Sequence, residues 1–167
     1  RDNDFGVAQQ DGQSWLAKGE QLLLPVAELK VAGMHNVANA LAALALGESV
    51  GLPMAAMLET LCSFVGLPHR CQWLAEKNSV SWYNDYKATN VGAAVAAIKG
   101  MSGKVVLLAG GEAKGQDFSA LREALAVKGR AAVLFGVDAG QIADALNGVV
   151  QVERVINLRA AVEAAQK

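Results

Sequence analysis

The chain has 167 residues, of which 53% are hydrophobic and 19% charged, and its formal net charge is −1. This length and composition allow a buried core and exclude a disordered chain. Lysines and arginines are scattered, which argues against a protein that binds nucleic-acid phosphates, and no apolar run is long enough to predict a membrane span. Cys62 and Cys71 lie in no CxxC motif, so we expect reduced thiols and a cytoplasmic protein.

The first elements are predicted to be short β-strands over residues 5–32. "FGVAQ" and "SWLAK" flank Asp11-Gly12, a pair that is typical of hairpin turns, and "QLLLPVAELKVAG" follows a turn at Gly19. The pattern then becomes helical in "NVANALAALALGESV", with Asn36 as the expected N-cap and Gly51 at the end.

A second helix, "PMAAMLETLCSF", ends before Gly66, and the loop "GLPHR" at 66–70 is the predicted hinge. Beyond it, strands alternate with helices. The predicted strands are "CQWLAE", "SVSWYND", "KVVLLAGG", "AAVLFG" and "VVQVERV", and the first two are expected to be joined at Lys77-Asn78. The predicted helices are "VGAAVAAIKG", "FSALREALAVKG" with Ser119 as its N-cap, "AGQIADALNG" and "NLRAAVEAAQK". Apolar strands that alternate with helices are typical of a parallel sheet covered on both faces, so residues 71–167 are predicted to form a Rossmann-like α/β unit.

The stretch "NDYKATN" follows a predicted strand and carries the most informative polar residues. Ligands of open parallel sheets lie outside the carboxyl ends of the strands, and in an extended chain Asp85, Lys87 and Thr89 would point to one side. Lys87 would offer a point charge to a phosphate or carboxylate, and Asn90 could cap the next helix. The alternative is a turn with a surface ion pair and a helix cap.

A second strand end carries "LAGGEAKGQDF". Gly110 and Gly111 permit a tight backbone there, and Lys114 projects from the loop that follows. The stretch is neither a GxxxxGK[ST] phosphate loop nor a GxGxxG dinucleotide turn. A flexible turn with a solvated lysine is the alternative interpretation.

Two further groups could bind a ligand. Asn36 and Asn39 are three residues apart at a helix start, so both amides could face one ligand, although plain capping is the alternative. His69 and Arg70 could form a surface pair, or the arginine could reach a phosphate. The sequence contains no Cys/His metal spacing and no nucleophile elbow.

The succession of "GMHNVANALAALAL", "GLPHR", "NDYKATN" and "LLAGGEAKGQDF" resembles the Mur ligase family over essentially the whole chain. The resemblance implies that 1–69 end a central ATP-binding domain and that 70–167 are most of a Rossmann-like ligase domain. It also implies a longer protein, because the UDP-binding domain, the GKS/T loop, the carbamylated lysine and the final serine-containing loop of the family do not occur in this sequence. We expect both ends to be cut from that longer chain, and these 167 residues to be inactive alone.

The stretch "DYKATN" resembles the branch of the family that adds D-glutamate to UDP-N-acetylmuramoyl-L-alanine during peptidoglycan precursor synthesis. The resemblance implies that ATP converts the substrate carboxylate into an acyl phosphate, which the amine of D-glutamate attacks. Mg²⁺ is the implied metal, with its ligands expected mostly outside this chain. The implied ATP-binding residues are Asn36, Asn39, Arg70, Asp85 and the catalytic Lys87; the implied D-glutamate-binding residues are Thr89 and Lys114.

Two alternatives stay open at this point. One is another Mur-family or folylpolyglutamate-type ligase, against which "DYKATN" argues. The other is a non-catalytic nucleotide-binding α/β domain, which would need no further catalytic parts.

Overall fold

A computed structural model describes residues 3–112 and 115–166. The chain divides into two compact units, Arg1–Lys87 and Ala88–Lys167, and each has its own hydrophobic core. The domain boundary predicted between residues 69 and 70 stays a prediction. Across the described residues, no helix is both long and apolar enough to cross a membrane.

An antiparallel sheet with the order β1-β2-β3 opens the first unit. Its strands are β1 (Phe5–Gln10), β2 (Gln13–Lys18) and β3 (Gln21–Pro25). Asp11 and Gly12 both have positive φ, 51° and 76°, as a tight type I′ hairpin turn requires, so the predicted turn is confirmed. The third strand is shorter than predicted, because Pro25 lacks the N–H that would continue the ladder.

Two helices follow, α1 (Met34–Ser49) and α2 (Met54–Ser63). The prediction that Asn36 caps α1 is wrong. Gly33 is the cap residue, and the backbone N–H of Asn36 already donates to the Gly33 carbonyl at 3.0 Å. The helix therefore begins one turn earlier than the asparagine indicated, because a glycine with φ 94° can turn the chain into the helix.

The predicted end of α1 at Gly51 is confirmed. Gly51 has φ 79°, and the N–H groups of Gly51 and Leu52 donate to the carbonyls of Glu48 and Gly47, both at 2.9 Å. This is the Schellman arrangement, which satisfies carbonyls of the last helical turn. The core of the unit lies between the sheet and the two helices, with Leu16 and Leu44 almost fully buried.

The next two strands, β4 (Gln72–Lys77) and β5 (Val80–Asn84), pair only with each other and run antiparallel. Their predicted place in the parallel sheet is therefore wrong. The connection is the two-residue turn Asn78-Ser79, with φ of 53° and 60°, one residue later than the predicted join at Lys77-Asn78. A parallel pair needs a crossover of roughly a dozen residues, so this short turn permits only a hairpin.

The second unit contains a parallel sheet with the order β6-β7-β8, flanked by helices. The strands are β6 (Val105–Gly110), β7 (Gly129–Phe135) and β8 (Gln151–Arg154). The helices are α3 (Val91–Gly100), α4 (Ser119–Lys128), α5 (Ala139–Leu146) and α6 (Leu158–Ala164). The predicted α/β fold is confirmed, and Leu125, Leu134 and Leu146 are its largest fully buried side chains.

The prediction that Ser119 caps α4 is wrong, because Ser119 is the first helical residue and Phe118 precedes it as the cap. Asp117 accepts hydrogen bonds from both the hydroxyl and the backbone N–H of Ser119, at 2.6 and 2.9 Å. These two bonds lower the pKa of Asp117. The exposed Asp117 carboxylate therefore accepts a hydrogen bond at the start of α4, which was the role expected of the Ser119 hydroxyl.

Gly110, at the end of β6, lies so close to β7 that a side chain cannot be placed there. A Cβ atom on Gly110 would be 2.4 Å from the Phe135 carbonyl oxygen, whereas one on Gly103 would meet nothing within 4 Å. We expect Gly110→Ala to lower the free energy of unfolding by about 1–3 kcal/mol through this overpacking, and Gly103→Ala to change it little. Urea unfolding followed by circular dichroism compares the two variants, and equal midpoints would show that β6 can move away from β7 at no cost.

Candidate functional site

Hydrogen bonds join the end of β5 and the residues after it to the loop that precedes β4. The backbone N–H of Cys71 donates to Asp85 Oδ1 at 3.0 Å, and that of Lys87 donates to the His69 carbonyl at 3.1 Å. Asn84 Nδ2 lies 2.8 Å from His69 Nδ1. These three contacts hold residues 69–71 against residues 84–87, so Asp85 and Lys87 lie close to Arg70 in the fold.

The loop in this site has an unusual backbone. His69 and Cys71 have φ of 64° and 43°, a region that residues with a side chain seldom occupy. Such conformations persist where the surrounding structure determines them, and they cluster at binding sites. Here the contacts with residues 84–87 hold the loop, and Arg70 is thereby presented between two constrained neighbours.

The chain beyond β5 is not extended, contrary to the expectation for "NDYKATN". It turns at Tyr86 and Lys87, because the Asn84 side chain accepts a hydrogen bond from the Tyr86 N–H at 3.0 Å. Nor does β5 end at the edge of a parallel sheet. The expected alternation that would point Asp85, Lys87 and Thr89 to one side is therefore wrong, although the first two lie in one cluster.

The charges of this cluster are not neutralised. Arg70 and Lys87 are exposed, and within the part of the chain that the structure describes neither side chain has an ion-pair partner. Among residues 3–112 and 115–166, Asp85 and Lys87 do not form the surface ion pair that the sequence left as an alternative. Two cations on neighbouring segments, Arg70 before β4 and Lys87 after β5, suit phosphate oxygens. The half-buried Asp85 carboxylate can accept hydrogen bonds from hydroxyl groups.

Cys71 contacts Asp85 and is only 8% exposed. Burial, and then the charge and hydrogen bond of Asp85, raise the pKa of the Cys71 thiol to about 12. The folded protein therefore keeps a proton that the unfolded chain loses near pH 9.0, so this thiol contributes stability that is lost as pH rises from 9.0 to about 12.

Because the thiolate is the reactive form, we expect iodoacetamide to alkylate Cys71 slowly until the protein is unfolded. Asp85→Asn keeps an acceptor for the Cys71 N–H but removes the charge, so alkylation should become faster. Glu76→Gln removes an equal charge on the same hairpin and should leave the rate unchanged. Mass spectrometry of the labelled peptide gives the rates. Equal rates for wild type and Asp85→Asn would show that the carboxylate has no influence on the thiol.

Asn36 and Asn39 lie together near the start of α1. Asn39 Nδ2 donates to Asn36 Oδ1 at 3.4 Å, and Asn36 Nδ2 donates to the Ala32 carbonyl at 2.7 Å. The two amides therefore share a helix face, as their spacing predicted. No hydrogen bond between described residues joins this pair to the cluster of Arg70, Asp85 and Lys87.

In the second unit, Thr89 is exposed just before α3. The predicted cap is confirmed, because Asn90 Oδ1 accepts a hydrogen bond from the Ala93 N–H at 2.9 Å. Gln116 Oε1 accepts another from the Val91 N–H at 2.8 Å, which ties the loop after β6 to the helix start beside Thr89. Lys114 belongs to that loop but lies outside the described residues.

Sequence reasoning missed one residue in each unit, Asn84 beside Asp85 and Gln116 at the start of α3. Asn84 carried a usable signal, since an asparagine at a strand end often forms a turn with its side chain. Gln116 carried none, because its contact with α3 bridges residues far apart in the sequence. Among the described residues, no group of three or more His, Cys, Asp or Glu side chains could hold a metal ion.

Comparison with known proteins shows the family to which the chain belongs. The sequence profile described as "Mur ligase, glutamate ligase domain" matches residues 69–167, more than half of the chain. The chain belongs to the Mur ligase family. The resemblance seen in the sequence motifs is thus confirmed, and the match includes Arg70, Asp85, Lys87 and Thr89.

Several relatives within the family bear one name, UDP-N-acetylmuramoylalanine–D-glutamate ligase. The protein of Pseudomonas aeruginosa is 58% identical over 165 residues, which are 96% of this chain and 37% of that protein. The protein of Pseudomonas syringae pathovar tomato is 57% identical over 95% of this chain and 36% of its own length. The chain therefore spans a little over a third of the relatives that it matches.

Two solved structures show the same fold at much lower identity. A UDP-N-acetylmuramate-alanine ligase from Thermotoga maritima superposes with a TM-score of 0.67 at 23% identity, over 87% of this chain and 34% of that one. A folylpolyglutamate synthase from the same organism gives a TM-score of 0.65 at 20% identity, over 99% of this chain and 42% of that one. Both likenesses concern the fold alone.

Proposed function

We propose that this chain is a segment of a UDP-N-acetylmuramoylalanine–D-glutamate ligase, an ATP-dependent enzyme of bacterial peptidoglycan precursor synthesis. The observation that carries the proposal is the 58% identity over 96% of the chain with a protein of that name. The folylpolyglutamate-type alternative has in its favour only a likeness of fold at 20% identity. The reaction would take place in the cytoplasm, with the rest of the same polypeptide supplying the UDP-sugar site.

The proposed reaction forms an amide in two steps. The carboxylate of UDP-N-acetylmuramoyl-L-alanine attacks the terminal phosphorus of ATP, which releases ADP and gives an acyl phosphate. The amine of D-glutamate then attacks the acyl carbon, the carbon–oxygen bond to phosphate breaks, and inorganic phosphate leaves. Protein groups contribute to phosphoryl transfer mainly by placing charges and reactants.

The first unit contains the residues proposed to bind ATP. Lys87 would stabilise the charge on the transferring phosphoryl group, Arg70 would hold phosphate oxygens, and Asp85 would accept hydrogen bonds from the ribose. The support is that both cations are exposed and unpaired among the described residues, while Asp85 is anchored by the Cys71 N–H. Asn36 and Asn39 would line the nucleotide pocket. Mg²⁺, when bound with ATP, would neutralise phosphate charge, and we expect its ligands mostly outside this chain.

The residues proposed to bind D-glutamate, Thr89 and Lys114, belong to the second unit. A hydroxyl donor and an ammonium group suit the two carboxylates of that amino acid. The bond between Gln116 and Val91 supports this pairing, because it ties the loop of Lys114 to the helix start beside Thr89.

The test is phosphate release by the complete protein with ATP, UDP-N-acetylmuramoyl-L-alanine and an amino acid. We expect release with D-glutamate and background release with L-glutamate. The 167-residue chain alone should also stay at background, since it has no GKS/T loop to assemble the triphosphate. Activity with a folate substrate and L-glutamate would establish the folylpolyglutamate alternative, and ATP binding without turnover would establish the non-catalytic one.

A further inference from the structure

Asn84 is at the centre of a hydrogen-bond network that the reaction described above does not use. Its Oδ1 accepts the Tyr86 N–H at 3.0 Å, and its Nδ2 lies 2.8 Å from His69 Nδ1. The His69 carbonyl in turn accepts the Lys87 N–H at 3.1 Å. The His69 ring also meets the Tyr86 ring edge to face, with centroids 6.2 Å apart and planes inclined by 70°.

This network determines which nitrogen of His69 carries hydrogen. A backbone N–H can only donate, so the Asn84 atom that faces Tyr86 must be the carbonyl oxygen. The other terminal atom of Asn84 is then the amide nitrogen, which can only donate. His69 Nδ1 must therefore be the acceptor, and the hydrogen of the neutral ring is on Nε2.

The Nε2–H group has no hydrogen-bond partner within residues 3–112 and 115–166, and His69 is exposed. It belongs to the same constrained loop as Arg70, whose guanidinium is also unpaired there. The network thus leaves one oriented donor next to a cation. That combination suits a hydrogen-bond acceptor on an anionic ligand.

We propose that Asn84 is a positioning residue, which holds the His69 ring in its Nε2–H form so that this group donates a hydrogen bond to the bound nucleotide. The inference rests on the proposed ATP site of the first unit. Asn84 is proposed to have a different role from the ATP-binding residues, because it does not touch the nucleotide itself and acts through His69.

The first test determines which ring nitrogen of His69 carries the hydrogen. It uses the NMR chemical shifts of the histidine ring nitrogens in the complete protein, which is isotope-labelled at histidine. The His69 signals are assigned with His69→Gln. Wild type should show an unprotonated Nδ1. In Asn84→Asp, one carboxylate oxygen still accepts the Tyr86 N–H and the other faces Nδ1, so Nδ1 should become protonated. Asn78→Asp makes the same chemical change in the turn of the same hairpin and should leave the His69 signals unchanged. A protonated Nδ1 in the wild-type protein would overturn the proposal.

The second test is the Kd of ATP for the wild type, Asn84→Asp and Asn78→Asp. Titration calorimetry measures it without turnover. At a pH where the shifts of Asn84→Asp show hydrogen on Nδ1 and none on Nε2, the oriented hydrogen bond to ATP is lost, and ATP binding should weaken by about three- to tenfold. Asn78→Asp should bind ATP as the wild type does. A switched hydrogen position with unchanged ATP affinity would overturn the role of Asn84 and leave the proposed ligase intact. Failure of the ligase itself would appear separately, as absent D-glutamate-dependent phosphate release.

Discussion

Lys87→Ala in the complete enzyme is expected to lower kcat on the order of a hundredfold or more, with little change in the thermal midpoint of unfolding. The reason is that charge on the transferring phosphoryl group is greatest in the transition state, where an ammonium group stabilises it most. The Lys87 side chain is exposed and has no ion-pair partner among the described residues, so its removal should cost the fold little. Its backbone N–H bond to His69 does not depend on the side chain.

The measurement is steady-state kinetics together with a thermal melt. Lys99→Ala is the matched control, because Lys99 is an exposed lysine in the last turn of α3, and it should leave kcat unchanged. Lys87→Arg should recover part of the loss, since it keeps the charge but changes the shape of the donor. An unchanged kcat in Lys87→Ala would show that this lysine is a solvated surface charge with no part in catalysis.

Lys114→Ala and Thr89→Val are expected to raise the KM for D-glutamate and to leave the KM for ATP nearly unchanged. The lysine should have the larger effect, because a charge-assisted hydrogen bond contributes roughly 1.5–3 kcal/mol and a neutral one about 0.5–1.5. This corresponds to about tenfold or more in apparent affinity for Lys114, and less for Thr89. The two losses need not add, since both side chains would hold one small ligand.

These two variants are compared by varying each substrate in turn. Lys99→Ala serves again as the control for the lysine. Thr60→Val is the control for the threonine, since Thr60 is exposed on α2 and its hydroxyl donates to the Ala56 carbonyl of the same helix. Neither control should change either KM. If the KM for ATP rose while that for D-glutamate stayed fixed, the amino acid would bind elsewhere and the division of ligands between the two units would be wrong.

Local chemistry in the sequence predicted those parts of the fold that depend on adjacent residues. The hairpin at Asp11-Gly12, the helix end at Gly51 and the cap at Asn90 all form, because each needs only its own side chain or backbone freedom. Prediction failed where two local signals competed. Gly33 begins α1 ahead of Asn36, and the Asn78-Ser79 turn makes a hairpin of strands whose apolar pattern suggested a parallel sheet.

That the candidate residues lie near one another was predictable from the motifs, but the geometry that brings them together was not, and their roles stay a prediction. The motifs identified Arg70, Asp85 and Lys87, and the structure places these residues in one cluster. The bonds of Asn84 to Tyr86 and His69, which bend the chain after β5, could not be predicted. The contact between Asn84 and His69 joins residues on either side of the β4–β5 hairpin, and hydrophobic periodicity cannot predict a contact of that kind.

The central claim is that this segment serves an ATP-driven ligation of D-glutamate, and it is tested most directly by following an oxygen isotope. The alanyl carboxylate of UDP-N-acetylmuramoyl-L-alanine is labelled with heavy oxygen and given to the complete protein with ATP and D-glutamate. An acyl phosphate transfers one carboxylate oxygen to phosphorus, so we predict one labelled oxygen in the inorganic phosphate for each amide formed. Mass spectrometry measures both products. Phosphate without the label, or amide formation that does not require D-glutamate, would contradict the account.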